Sequence, residues 1–192
     1  MNQLFNIDLK KIPSLNDKYA AEREKNFELF LKAGFPNKKD ENWKFSDLNF
    51  IINNNFKYIT NNDNYKFDEK IESINDFNHN KIILINGSLK SYDLQFEESE
   101  KVKIESLKSF EGSYDQIKNN LHYLNKALSI GGYKLEVQKD YKCKKPIIIY
   151  NYFTSNLDNK IINNSNRIKF HQSSECTLIE YNIDEGCKFL KN

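Results

Sequence analysis

Residues 131–153 read GGYKLEVQKDYKCKKPIIIYNYF, and this stretch decides the fold class because the sequence pattern changes at its double glycine. After the glycines, short runs rich in β-branched and aromatic residues predict strands. These runs lie at 133–138, 146–153, 167–172 and 176–181, and a last one opens at Cys187. Because no helical pattern separates them, the sequence disfavours alternating βαβ units and favours a β-sandwich or a coiled β-helix.

A helix is predicted immediately before the double glycine. Ile117, Leu121, Leu124 and Leu128 follow one another at i, i+4, i+7 and i+11, which places them in one apolar stripe of a helix. We expect Gly131-Gly132 to end this helix, since glycine adopts the left-handed conformation at a helix C-terminus at little cost. The glycine pair follows the helix, so it does not have the position of a phosphate-binding loop.

An earlier helix is predicted from about residue 19 to Gly34, where Phe35-Pro36 cannot continue it. Polar residues at 14–17 are expected to cap its start. Its predicted apolar face consists of Ala20, Phe27, Phe30 and Leu31.

The segment between these helices has three further features. A second, short helical turn is expected over 39–48, and the polar residues 53–64 are expected to be irregular. The run KIILI at 81–85 predicts a strand, and Asn86-Gly87 directly after it predicts a tight hairpin turn.

Together these elements predict an α+β fold in two parts. Residues 1–132 would form a small helical and α+β region, and residues 133–192 would begin a domain of stacked strands. The chain ends inside a predicted strand, so we expect this second domain to be truncated at its C-terminal end.

Composition excludes several classes of protein. The 29 Lys and Arg residues nearly balance the 27 Asp and Glu residues, which argues against nucleic acid or an anionic membrane as a partner. No apolar stretch approaches the roughly 20 residues needed to cross a bilayer, and residues 1–11 lack the pattern of a secretory signal. We therefore expect a cytoplasmic protein. Three cysteines without a C-x-x-C pair are expected to be structural thiols.

The candidate reactive residues are better explained by structure. Trp43 is expected to pack in the core, and the carboxylates of Asp40, Glu41 and Asp47 suit helix N-termini better than acid–base catalysis. His79 and His122 are expected at the surface. The set His171, Cys176 and Cys187 invites a metal-ligand hypothesis, but its spacing matches no closed site, and Cys176 shares a strand face with Leu178 as a small core residue would.

No catalytic signature is present in the sequence, whether for a phosphate loop, a dinucleotide fold, a nucleophile elbow or a zinc protease. We therefore assign no catalytic, cofactor-binding or metal-binding residue, and expect a protein that is not an enzyme. The roles of Cys143, Cys176 and Cys187 in redox or metal chemistry stay open.

Two segments resemble a known family, the SufB/SufD proteins of the SUF iron–sulfur cluster assembly system. AGFPNKKDENWKFSDL at 33–48 is similar to the family's N-terminal signature, and LNKAL at 124–128, followed by Gly132, 134–137 and Lys145-Pro146-Ile147, is similar to the entry into its β-helix. Ile85-Asn86-Gly87 and 167–181 also fit. The similarity is greater to the N-terminal part of SufD than to SufB.

The resemblance implies the first coils of a right-handed parallel β-helix and a scaffold subunit of an assembly complex. Its implied partners are a SufB-like subunit and the SufC-like ATPase, and an iron–sulfur cluster would be present only transiently in the full complex. Family members are longer, and the residues linked to cluster building lie beyond this chain, so none is transferred here. The alternative is a carbohydrate-active or carbohydrate-binding protein on a β-helix or β-sandwich.

Overall fold

The computed structural model describes residues 18–56, 58–60, 73–107, 119–129 and 131–192, with 58–60 described by their backbone alone. These ranges form a mixed α+β structure, as predicted. The helices are α1 (Ala20–Ala33), α2 (Leu48–Asn55) and α3 (Asn120–Leu128). The strands are β1 (Tyr58–Thr60), β2 (Asn80–Ile85), β3 (Ser88–Asp93), β4 (Val102–Ser106), β5 (Tyr133–Val137), β6 (Ile147–Phe153), β7 (Lys160–Ile162), β8 (Arg167–Phe170), β9 (Leu178–Asp184) and β10 (Phe189–Lys191).

The strands after the double glycine form two sets of three, in which the second repeats the first. Consecutive strands β5, β6 and β7, which we call the first trio, belong to three different sheets. Strands β8, β9 and β10, the second trio, add to the same sheets in the same order. Every pairing between the trios is parallel, with Lys134 opposite Arg167, Ile147 opposite Leu178 and Lys160 opposite Phe189.

The other edge of the first trio is covered by strands from earlier in the chain. Strands β1 and β2 pair in parallel with β7 and β6, whereas β4 pairs antiparallel with β5. Strand β3 forms the predicted hairpin with β2 through Asn86 and Gly87, whose φ angles are 51° and 83°. Strand pairing therefore crosses residue 132, while the proposed division into two domains at that point stays a prediction.

The two largest clusters of buried apolar residues lie beneath the helices and between the strands. The helix-layer core joins the three helices to Ile161 of β7 and includes Phe27, Phe30, Leu48, Leu124 and Leu128. The strand core lies between β2, β4, β5 and β6. All seven residues of β6 are buried, and a strand buried throughout is expected to be a continuous apolar run such as 147–150, IIIY.

The described residues of the segment 53–64, which are 53–56 and 58–60, depart from the irregular structure expected of it. Helix α2 continues to Asn55, because Asp47 caps its start and the side chains of Asn54 and Asn55 donate to the carbonyls of Phe50 and Ile51. Strand β1 follows it at 58–60 and owes its position to a partner distant in sequence, β7.

The end of α3 also differs from expectation. The helix stops at Leu128 and is capped by Ser129, three residues before Gly132. Gly132 has a φ of 137°, and a Cβ there would lie 1.8 Å from the carbonyl oxygen of Ser165. The glycine is required for close backbone approach between neighbouring segments. The predicted cap at 14–17 and the predicted stripe residue Ile117 lie outside the described residues.

In the described part of the chain, none of the helices combines the length and the apolar character that crossing a lipid bilayer requires.

Candidate functional site

The signature segment 33–48 links α1 to α2 and contributes to the helix-layer core. Helix α1 ends at Gly34, which has a φ of 70°. The Gly34 amide donates to the Phe30 carbonyl at 2.7 Å. Phe35 and Leu48 are buried, and Trp43 packs half-buried against the same core, as predicted. Phe45, two residues further on, is 92% exposed and takes no part in this core.

An open cleft of about 610 Å³ lies between this segment and the N-terminus of α3. Its lining combines carboxylates, amides and an imidazole with apolar side chains, and includes Asp40, Glu41, Trp43, Asn120, Leu121, His122 and Asn192. The cleft is the candidate site of the described residues because it is the concave surface that the signature segment shapes.

The carboxylates beside the cleft have structural roles. Asp47 accepts from the Phe50 amide at 2.9 Å and so caps α2, as expected of a carboxylate at a helix N-terminus. Asp40 accepts from the Asn37 amide at 2.8 Å and stabilises the turn before a short 3-10 helix, Glu41–Trp43. The interpretation as an acid–base pair gains no support from this arrangement.

Amide side chains tie the floor of the cleft to the strands. Asn125 donates through Nδ2 to the carbonyls of Asn164 and Asn192 at 2.8 and 2.9 Å. Asn192 in turn donates to the Leu121 carbonyl at 3.0 Å. These bonds connect α3 with the segments after β7 and β10, so they fix the helix on the strands.

A buried arginine holds α1 to α3 and was not singled out from the sequence. Arg23 is 2% exposed, and its Nη1 donates to the carbonyls of Ala127 and Ser129 at 3.1 and 2.9 Å. A cation at a helix C-terminus is favourable because the last carbonyls are unpaired and carry partial negative charge. In the sequence this residue looks like one more charged residue of a polar helix face.

The turn motif Ile85-Asn86-Gly87 is also explained by packing. Asn86 donates to Thr154 Oγ1 at 2.8 Å and accepts from the Thr154 amide at 3.0 Å. A Cβ on Gly87 would lie 2.1 Å from the side chain of Asn164. The motif therefore locks the β2–β3 hairpin against the segments that follow β6 and β7.

The histidines are less exposed than expected. His79 is 4% exposed, with Nε2 and the Tyr150 hydroxyl 2.8 Å apart and Nδ1 2.8 Å from the Phe77 carbonyl oxygen, so the predicted surface position is wrong. His122 is half-buried, and burial, together with the charge of Lys126, lowers its pKa. His79 gains its hydroxyl partner from a residue 71 positions away in sequence, whereas Lys126 is only four residues from His122.

His171 belongs to an ion-pair cluster on β5 and β8. Its Nε2 lies 2.6 Å from Glu136 Oε1, and the Nζ atoms of Lys134 and Lys169 lie 3.4 and 3.5 Å from the same carboxylate. The hydrogen bond from His171, followed by the bond and charge of Lys134, lowers the pKa of Glu136 to about 2.

Another carboxylate, that of Glu97, holds the connection between β5 and β6. It accepts from the amides of Lys144 and Lys145, from the Tyr141 hydroxyl and from Asn80 Nδ2, all at 2.8 to 3.1 Å. Burial by itself raises the pKa of Glu97, but these donors outweigh it and the pKa is lowered. No motif in the sequence distinguishes Glu97 from the neighbouring acidic residues.

The three cysteines do not converge with His171. Cys176 packs with Leu178 against the strand core, as predicted, and its thiol donates to the Thr177 carbonyl at 3.6 Å and interacts with the Cys143 thiol. Cys187 packs against Phe153 and donates to the Thr154 carbonyl at 3.4 Å. Within the described ranges, no three His, Cys, Asp or Glu side chains are arranged to hold a metal ion.

The comparison with protein families gives the class of protein. The family model described as the SufBD protein N-terminal region matches residues 2–149, which is most of the chain. The chain therefore belongs to the SufB/SufD family of iron–sulfur cluster assembly proteins. A search of the curated proteins found no match.

Proposed function

We propose that this chain is a SufD-like scaffold subunit of a cytoplasmic SUF iron–sulfur cluster assembly complex, and that it is not an enzyme by itself. The observation that carries the proposal is the family match over 2–149. Its partners would be a SufB-like subunit and a SufC-like ATPase. An iron–sulfur cluster would meet the chain as cargo of the whole complex.

We further propose that the strands after the double glycine wind as a parallel β-helix. Support comes from the order of the strands, since three consecutive strands occupy three sheets and the next three repeat that order in parallel register. Stacked strands suit a scaffold because each layer satisfies the backbone groups of its neighbour and presents an extended surface to a partner.

The non-enzymatic role is supported by what the polar side chains do. The carboxylates of Asp47, Glu97 and Glu136 each hold a helix end, a loop or a strand pair through named donors. His79 and His171 are likewise engaged with Tyr150 and Glu136. These residues stabilise the fold, which is the role expected of a scaffold.

The test is copurification of the tagged 192-residue chain with SufB-like and SufC-like subunits of the same genome, expressed together. We expect the tagged chain to retain the SufB-like subunit. Retention of neither subunit would contradict the scaffold role. Retention of a coexpressed SufD-like subunit in place of the SufB-like subunit would show that the chain takes the place of SufB.

A further inference from the structure

Two of the three free cysteines lie side by side in neighbouring connections between strands. Cys143 follows β5 in the connection to β6, and Cys176 has the equivalent place between β8 and β9. Lys142 and Glu175 form a parallel β-bridge, and the Cys143 amide donates to the Glu175 carbonyl at 2.9 Å. Each cysteine is one residue beyond a bridged residue, so the two are register neighbours.

Register neighbours have the spacing that a disulfide requires. Adjacent strands lie about 4.8 Å apart and their paired side chains point to the same face. The Cα atoms of a disulfide are usually about 4.4 to 6.8 Å apart. Both thiols also pack against the same strand core and are only partly exposed, which leaves them within reach of a small oxidant.

We propose that Cys143 and Cys176 are a redox-active pair that hydrogen peroxide oxidises to a reversible disulfide joining the two strand trios. This inference does not rest on the proposed scaffold function. The sequence suggested either metal ligands or structural thiols, and neither interpretation includes a disulfide between these two residues.

The environment assigns different roles to the two thiols. The hydrogen bond from Cys143 lowers the pKa of Cys176, and the pKa of Cys143 is raised by that same bond and by burial. Cys176 is therefore the thiol that more readily becomes the thiolate, which is the nucleophilic form. Cys143 is placed to react second.

The reaction proceeds in two balanced steps. The Cys176 thiolate attacks one peroxide oxygen, the O–O bond breaks, and hydroxide leaves to take up a proton as water, giving a sulfenic acid. The Cys143 sulfur then attacks the Cys176 sulfur, the S–O bond breaks, and a second water leaves as the S–S bond forms. The two thiols lose two electrons in total, and the peroxide gains them.

Cys187 serves as the internal control. It belongs to a different cluster, with Phe153 and Leu157, and its thiol donates to the Thr154 carbonyl instead of to another sulfur. Burial raises the pKa of Cys187, which makes it the slower thiol to oxidise.

The experiment exposes the folded 192-residue chain to hydrogen peroxide, blocks the remaining thiols with iodoacetamide and maps the peptides by mass spectrometry. We expect two of the three thiols to become protected, in a single peptide pair that joins Cys143 to Cys176, and dithiothreitol to restore them. The Cys187→Ser variant should give the same pair. A main product that pairs Cys187, or equal oxidation of all three thiols without a disulfide, would overturn the proposal.

Single variants of the pair test the order of the steps. In Cys143→Ser, Cys176 should accumulate as a sulfenic acid that dimedone labels, whereas in Cys176→Ser the peroxide should leave Cys143 largely reduced. Circular dichroism identifies variants that fail to fold, and Cys→Ala at the same positions replaces them. Stronger dimedone labelling of Cys143 than of Cys176 would contradict the assignment.

Discussion

The two strand trios share a backbone arrangement but differ in burial. All seven residues of β6 are buried, whereas its parallel partner β9 has mostly exposed residues along the same register. The order of the strands is thus the same in both, but the first trio is paired on both edges and the second on one edge within the described residues, and the apolar area removed from water differs. Since burial of apolar area is the dominant favourable term in folding, the first trio should carry most of the stability.

The largest expected effect is at the glycine where the trios approach each other. In Gly132→Ala, the new Cβ would lie 1.8 Å from the Ser165 carbonyl oxygen, so the backbone must move. We expect a loss of roughly 4 kcal/mol or more, the range reserved for specific structural disruption. Urea unfolding measures it.

Gly186→Ala is the matched control. Gly186 also has a positive φ, 72°, but no atom lies within 4 Å of the position of its Cβ. We expect only the conformational cost, about 1 kcal/mol. Equal losses in the two variants would show that the close approach at Gly132 has no energetic consequence.

The next effect compares register partners directly. Ile148 of β6 is fully buried and lies opposite Ile179 of β9, which is 37% exposed. Ile148→Ala should cost about 3 kcal/mol through lost burial and a cavity. Ile179→Ala should cost less than about 1 kcal/mol. Thermal or urea unfolding of both variants measures the two losses of stability. Similar losses would refute the argument from burial.

A smaller effect is expected in the helix layer that covers β7. Arg23→Met keeps the length of the side chain but removes both hydrogen bonds to the C-terminal carbonyls of α3. Hydrogen bonds from a charged donor suggest a loss of about 2 kcal/mol. Lys25→Met, an exposed cation on the same helix, should change the free energy of unfolding by less than about 0.5 kcal/mol.

The smallest effect concerns pH and the bond between the trios at Glu136 and His171. The pKa of Glu136 is lowered from 4.5 to about 2, so its stabilisation is fully present above pH 4.5 and is lost as the pH falls towards 2. Glu136→Gln should cost about 1 kcal/mol at pH 7, and the difference from wild type should vanish near pH 2. Glu28→Gln, at an exposed position of α1, should show no such pH-dependent difference. A constant difference across the range would exclude this carboxylate as the cause.

Local patterns predicted the elements whose cause is local. Alternation, β-branched runs and turn residues located β2, its hairpin, β5, β6, β8 and β9 to within a few residues, since side-chain period and turn chemistry are written in short stretches. The same reasoning missed β1, β4 and β7. Two of these strands have only three residues, and their pairing with distant segments gives them their conformation.

The candidate site shows the same division. The signature segment and the place of Asp47 at a helix N-terminus were predicted, but helix α2, which Asp47 caps, was not, since the expected helical turn ended at residue 48. The burial of Arg23 and His79 was not, and neither was the contact between Cys143 and Cys176. The partners of these residues are 33 to more than 100 residues away in sequence. No local pattern therefore predicts the contacts.

The sequence by itself determined the mixed α+β class, the change of pattern at the double glycine and, through its signature runs, the family. Only the tertiary structure decided that Gly132 makes room for Ser165, that Glu97 holds a loop, and that two cysteines are neighbours in adjacent connections between strands. The reason is physical. Periodicity and turn preference act along the chain, whereas register brings together residues whose separation in sequence carries no signal.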